Sequence, residues 1–206
     1  LFLNGFIIHE YNEPSNWRSE ESLAEFLKKH NVPCIAGLDT RALTTKLRRE
    51  GTIKGFMHCS GQEITPEEGV KKAVAWCGLD NQDYASKVTC ERAFDWDPDL
   101  SKTRSWGMPE QLPAADLNVV AYDFGIKWNI LRSMRICGMN VHVVPAHTTA
   151  EEVLKLKPDG VFFSNGPADP AALPYAAEAA KSLLGKVPVM GICLGHQILG
   201  IAEPTV

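Results

Sequence analysis

The sequence predicts an α/β protein: an incomplete parallel sheet covered by helices over 117–206, preceded by a smaller α/β domain, also partial, over 1–94, with a linker at 95–116. Three observations carry this. From Leu117 onward, short apolar runs alternate with segments of helical periodicity, the pattern of strands joined by helical crossovers. Glycine and capping residues punctuate the alternation where helices should start and stop. The last apolar run, Val187-Pro188-Val189-Met190-Gly191-Ile192, breaks at Cys193, which has glycine two residues to either side.

In the first half, Phe6-Ile7-Ile8 reads as a short strand, and Leu23, Phe26 and Leu27 recur at helical spacing between Ser19 and His30. Val32-Pro33-Cys34-Ile35-Ala36 reads as a second strand. Asp39 or Thr40 then caps a helix through Leu43 and Leu47, which ends in Lys46-Leu47-Arg48-Arg49 before Gly51, with cations at the negative end of its dipole. The basic cluster of Arg41, Lys46, Arg48 and Arg49 is most simply that helix's solvated end, with a partner surface as the competing reading. Thr65-Pro66-Glu67-Glu68 is a capping box with proline at the first helical position, opening a helix through Val70 and Val74 toward Gly78. Periodicity fades between Asp80 and Asp116, and Pro98, Gly107, Pro109 and Pro113 mark the linker.

In the second half, Asn118-Val119-Val120-Ala121-Tyr122 is a buried strand ending at Asp123-Phe124-Gly125. A helix over about 127–137 stops at Gly138, and Val141-His142-Val143-Val144 is the next strand. Thr149-Ala150-Glu151-Glu152 is a second capping box, opening a helix that ends before Pro158. Gly160-Val161-Phe162-Phe163-Ser164, a helix from Leu173 to Leu184 closed by Gly185, and the run to Ile192 complete the series.

The 206 residues have room for one large or two ordinary domains, and 45% hydrophobic with 22% charged residues is an ordinary globular balance. A net charge of −4 gives no basic excess for nucleic acid, and no apolar run approaches membrane-spanning length. Six scattered cysteines without a C-x-x-C pair indicate neither a zinc site nor a disulfide framework, so the expected setting is a reducing cytoplasm.

The chemistry concentrates at Cys193. A strand, sharp turn and helix hold a nucleophile out from the sheet edge, and flanking glycines let strand and helix pass without Cβ clashes. At a helix N-terminus the dipole favours thiolate over thiol, and the N–H of Leu194 is placed to stabilise an oxyanion. Ligands on parallel sheets bind at the carboxyl ends of the strands. The loop Asn165-Gly166-Pro167-Ala168-Asp169-Pro170 falls on the same edge, so the two turns together suggest a composite site.

Ser164-Asn165-Gly166-Pro167-Ala168-Asp169-Pro170 followed by Gly191-Ile192-Cys193-Leu194-Gly195-His196-Gln197 resembles the class I glutamine amidotransferases. More narrowly, Ala121-Tyr122-Asp123-Phe124-Gly125 with Asn129-Ile130-Leu131-Arg132, and Asp39-Thr40-Arg41-Ala42-Leu43-Thr44, are similar to the carbamoyl-phosphate synthetase small-chain family. The resemblance implies that Cys193 attacks the carboxamide of L-glutamine, that Leu194 and Gly166 hold the oxyanion, and that Gln197 and the loop at Ala168 help hold the substrate. It further implies that ammonia passes to a large synthetase chain. ATP and magnesium belong to that partner, and this chain needs no cofactor of its own. Amidotransferases for other acceptors and a non-catalytic docking module are the competing readings.

Two departures accompany the resemblance. Ala168 stands where the family has glycine, which costs on the order of 1 kcal/mol if that backbone is left-handed. The family's triad histidine and glutamate fall downstream of the nucleophile, beyond Val206, and Ala202-Glu203-Pro204-Thr205-Val206 does not continue the pattern; both termini read as cuts through a larger protein, and the chain alone is expected to be a poor glutaminase. His142, His147 and His196 are expected to be structural or solvated, with nothing pairing them with the cysteine or with an orienting carboxylate.

Overall fold

The computed structural model describes residues 3–59, 61, 63–105 and 111–203. The chain divides into two compact units, 1–78 and 79–206.

In the first unit, β1 (Phe6–Ile7) pairs in parallel with β2 (Cys34–Ile35), Phe6 opposite Cys34. Between them lies α1 (Leu23–Lys29), opened by a capping box in which the Ser22 hydroxyl accepts from the Glu25 N–H while the Glu25 carboxylate accepts from the Ser22 N–H. Asp39 is the residue that caps α2 (Thr40–Glu50), accepting from the Ala42 N–H at 2.8 Å, and Gly51 closes it at φ 79°. No residue of α2 is buried, so Leu43 and Leu47 face solvent within this unit. The Thr65 capping box opens α3 (Pro66–Ala75), and the Lys54 ammonium donates to the Val74 and Trp76 carbonyls at its far end, where the helix dipole favours a cation.

The second unit holds α4 (Ala85–Val88), β3 (Phe94–Asp95), α5 (Ser101–Arg104), β4 (Leu117–Asp123), α6 (Trp128–Ile136), β5 (Met139–Pro145), α7 (Ala150–Lys155) and β6 (Gly160–Phe163). A 3₁₀ turn (Pro170–Ala172), α8 (Pro174–Leu183), β7 (Val189–Gly191) and α9 (Leu194–Ala202) follow. The sheet order is β3-β5-β4-β6-β7; every pair is parallel except β3 with β5. Strand alternation divides the core between two faces. Val120, Tyr122, Val161 and Phe163 point to the side covered by α7, α8 and α9, whereas Ala121, Val143 and Phe162 point to the side where Leu131 of α6 and Trp96 pack. The second face is only partly covered: beside α6 a largely apolar groove of about 510 Å³ is lined by Ile130, Met134, Phe162, Met190 and Ile192. Among the described residues no helix is long and apolar enough to cross a membrane.

The stretch expected to be a linker, 95–116, differs in its described part; 106–110 lie outside the described residues. β3 adds an antiparallel edge, Phe94 opposite Val143, and Trp96 is buried against the sheet with 4% of its surface exposed. Asp97, 2% exposed, accepts from the N–H groups of Lys102 at 2.9 Å and Thr103 at 2.7 Å, which pins α5 beside the edge strand. Burial raises the pKa of this carboxyl, but the hydrogen bonds from Thr103 and Lys102 outweigh that and hold it below the ordinary aspartate range. A depressed folded-state pKa stabilises the fold above the unfolded value, and that stability is lost as pH falls through the folded value. Acid titration from about pH 5 to pH 2 should therefore loosen the packing around Trp96, read by its fluorescence, and Asp97→Asn should flatten that pH dependence.

Candidate functional site

Cys193 sits where β7 gives way to α9, at φ 53° and ψ −111°, a left-handed φ that a non-glycine residue adopts only when its surroundings impose it. The surroundings are two glycines in face-to-face contact. A Cβ on Gly191 would lie 2.5 Å from the Gly195 carbonyl carbon, and one on Gly195 would lie 2.0 Å from the Phe163 carbonyl oxygen. The backbones of β7, α9 and β6 thus meet without side chains between them, and Cys193 is left exposed at the helix start. Burial of Leu194 and Ile198, each contributing about 1.5–3 kcal/mol, anchors α9 beneath it.

The second turn lies alongside. The Gly195 N–H donates to the Ser164 carbonyl at 3.0 Å, and the Ile192 N–H donates to the Phe163 carbonyl at 3.1 Å, tying the exit of β6 to the cysteine turn. A Cβ on Gly166 would approach the Phe124 carbonyl oxygen to 2.2 Å and the Leu194 Cδ2 to 2.8 Å, so Gly166 lies against both the β4 exit and the first residue of α9. No described group accepts from the N–H of Gly166 or of Leu194, leaving both as available donors. The structure thus brings Gly166, Cys193 and Leu194 together at the carboxyl edge of adjacent parallel strands. Gln197 lies one turn along α9, exposed, its N–H donating to the Cys193 carbonyl at 3.0 Å.

Ala168 is not among the residues with positive φ, and it packs against the core beneath α8 and α9. Alanine therefore carries no backbone penalty at that position. The 3₁₀ turn that follows is capped by Asp169, which accepts from the N–H groups of Ala171 at 2.9 Å and Asn81 at 3.2 Å.

His142 and His147 are engaged by other partners. His142 Nδ1 lies 2.7 Å from Asp95 Oδ1, so it does have a carboxylate partner; the pair spans β5 and β3, and Asp95 falls in the stretch that the sequence assigns to a linker. His147 Nε2 lies 2.8 Å from Ser86 Oγ, and its ring packs on Tyr175. His196 is exposed on α9. Among the described residues no histidine is hydrogen-bonded to the Cys193 thiol.

Two groups with no assigned role in the sequence reading frame the site. Asp123, 7% exposed, accepts from the N–H groups of Cys90, Gly125 and Ile126 at 2.8–2.9 Å and so shapes the turn on which Gly166 rests. Ser164, fully buried, accepts from the Phe124 N–H at 2.9 Å. An aspartate with glycine two residues on at a strand end is a legible turn signal; the hydroxyl contact is not.

The second unit contains two thiols near this edge with opposite prospects. Burial, followed by the charge of Asp123, pushes the Cys90 thiol up to about 11. Iodoacetamide at pH 8 should therefore modify exposed Cys193 well ahead of half-buried Cys90, as read by peptide mapping, because the thiolate is the reacting form and burial holds Cys90 as the thiol.

Comparison with known families gives two matches. Residues 120–203 match the model for glutamine amidotransferase class-I, and residues 1–57 match that for the carbamoyl-phosphate synthase small chain, CPSase domain. The chloroplastic carbamoyl phosphate synthase small chain of Oryza sativa subsp. japonica is 46% identical over 203 residues, covering 98% of this chain and 44% of the relative. The carbamoyl phosphate synthase small chains of Photorhabdus laumondii and Acinetobacter baylyi are each 47% identical, covering 92% and 98% of this chain and 49% and 53% of their own lengths. The chain spans about half the length of the curated relatives it matches.

Proposed function

We propose, for a chain that belongs to the carbamoyl-phosphate synthase small-chain family of class I glutamine amidotransferases, that it carries the nucleophile half of a glutamine-hydrolysing site. The observation that carries this is the pairing of an exposed Cys193 at φ 53° with the unpartnered N–H groups of Leu194 and Gly166.

Cys193 Sγ attacks the carboxamide carbon of glutamine, forming a C–S bond while the carbonyl oxygen takes the electron pair as an oxyanion. The Leu194 and Gly166 N–H groups receive that charge; a preorganised donor of this kind contributes about 2.7–4 kcal/mol. Collapse expels the nitrogen as ammonia once it has gained a proton, leaving a glutamyl thioester. Water then attacks the thioester, releasing glutamate and returning the thiol. Gln197 and the loop at Ala168 lie on the substrate side of this exchange. The general base and its orienting carboxylate come from the part of the family's chain that these residues do not span.

The ammonia passes to a large synthetase chain, where bicarbonate, ATP and magnesium complete carbamoyl phosphate for pyrimidine and arginine synthesis in the cytoplasm. The test uses the chain extended to the length of its relatives and mixed with such a large chain. Glutamine should then support ATP- and bicarbonate-dependent carbamoyl phosphate formation. Absence of ammonia release from glutamine, with or without the large chain, refutes the hydrolytic reading; ammonia release without carbamoyl phosphate moves the assignment to another acceptor.

A further inference from the structure

We propose that Ser164 and Asn165 are positioning residues that aim the Gly166 N–H at the reacting carbonyl, by clamping the single peptide unit to which that N–H belongs. The inference rests on the glutaminase reading above and concerns residues that reading leaves without a role.

The Gly166 N–H and the Asn165 carbonyl belong to one planar peptide group and point in opposite directions, so holding one aims the other. The Ser164 hydroxyl donates to the Asn165 carbonyl at 2.8 Å. That hydroxyl is itself fixed, because its oxygen accepts from the Phe124 N–H at 2.9 Å in a fully buried position. Serine has one hydrogen to donate, and with the Phe124 N–H occupying its oxygen the Asn165 carbonyl receives that hydrogen.

The Asn165 side chain is pegged on the other side. Its Nδ2 donates to the Gly125 carbonyl at 3.0 Å, and its Oδ1 accepts from the Lys127 N–H at 3.2 Å, so the carboxamide bridges both ends of the turn after β4. Gly166 contributes no side chain to fix its own orientation, since a Cβ would collide with the Phe124 carbonyl oxygen at 2.2 Å. The backbone there has the steric freedom of glycine, and a peptide with that freedom needs outside contacts to keep one orientation. Ser164, Asn165 and the Asp123-shaped turn supply them.

The consequence is specific. An oxyanion donor acts only as charge develops, so misaiming it lowers kcat and leaves glutamine binding in place. In the chain extended to the length of its relatives and assayed with its large partner, Ser164→Ala should lower kcat for glutamine hydrolysis about 10- to 100-fold with KM within about twofold. The rate of Cys193 alkylation by iodoacetamide, a reaction with no oxyanion, should not change. Asn165→Ala, at a half-buried loop position, should show the same split with a loss of about 10-fold and serves if Ser164→Ala does not fold. Unchanged kcat in a folded variant, or iodoacetamide alkylation falling in parallel with hydrolysis, overturns the clamp while leaving the glutaminase reading standing. A parent protein that hydrolyses no glutamine overturns both.

Discussion

Gly195→Ala is expected to lower the melting temperature of the second unit by at least about 10 °C, whereas Gly200→Ala, five residues along the same helix, should leave it unchanged or slightly raised. The substitutions are chemically identical and the surroundings are opposite. At Gly195 the added methyl would lie 2.0 Å from the Phe163 carbonyl oxygen and 2.5 Å from its carbon, both backbone atoms of a strand paired on two sides. Neither can yield without breaking the ladder, so α9 must move away and give up the Gly195 hydrogen bond to Ser164 and the seats of Leu194 and Ile198. Overpacking costs about 1–3 kcal/mol where side chains can adjust, and a clash with strand backbone belongs at the top of that range or beyond. At Gly200 nothing lies within 4 Å, so alanine brings only its better helix propensity, about 0.8–1 kcal/mol. Thermal unfolding followed by circular dichroism decides the matter, and equal melting temperatures for the two variants would refute the close-approach account of this turn.

That contrast shows which parts of the fold were open to reading. The capping boxes at Thr65 and Thr149 were legible because their two hydrogen bonds close within four residues of sequence. The buried strands were legible because parallel strands covered on both faces are continuously apolar, as β4 is from Val119 to Tyr122. The cysteine turn was legible because glycines at two-residue spacing mark an enforced backbone approach. By contrast, β3 is two residues long, and its neighbour Asp97 is a charged residue whose burial is made tolerable only by the N–H groups of α5. Composition assigns such a stretch to solvent, and only the pairing of Phe94 with Val143 shows otherwise. The Asp95 partner of His142 and the serine hydroxyl beneath Gly166 were hidden for the same reason: each joins strands far apart in sequence. The concern at Ala168 depended on a φ value, which the structure places outside the left-handed region.

The other large effect concerns the thiol. In the chain extended to the length of its relatives, Cys193→Ser should reduce glutamine hydrolysis by at least about 10³-fold, in line with the loss when a nucleophile is removed from an intact site. The exchange is nearly isosteric at an exposed position, so the strained backbone at φ 53° and the glycine contacts around it persist. What changes is the reacting atom: a free thiol reaches a small but useful thiolate fraction near neutral pH, and an alcohol needs a base to remove its proton in the attack itself. Glutamine should still bind, so KM or a direct binding constant should move little while turnover collapses. Rapid acid quenching with radiolabelled glutamine should trap a covalent glutamyl adduct on the parent protein and none on the serine form. Cys90→Ser supplies the matched control: it keeps the backbone N–H that donates to the Asp123 carboxylate and leaves the attacking sulfur untouched, so turnover should be unchanged. Retention of the parental rate by Cys193→Ser would show that the exposed sulfur at this turn is not the attacking atom. The non-catalytic docking reading makes a different prediction, namely that the parent and the serine form bind the large chain equally and hydrolyse equally little, so the paired rates separate the two readings in one experiment.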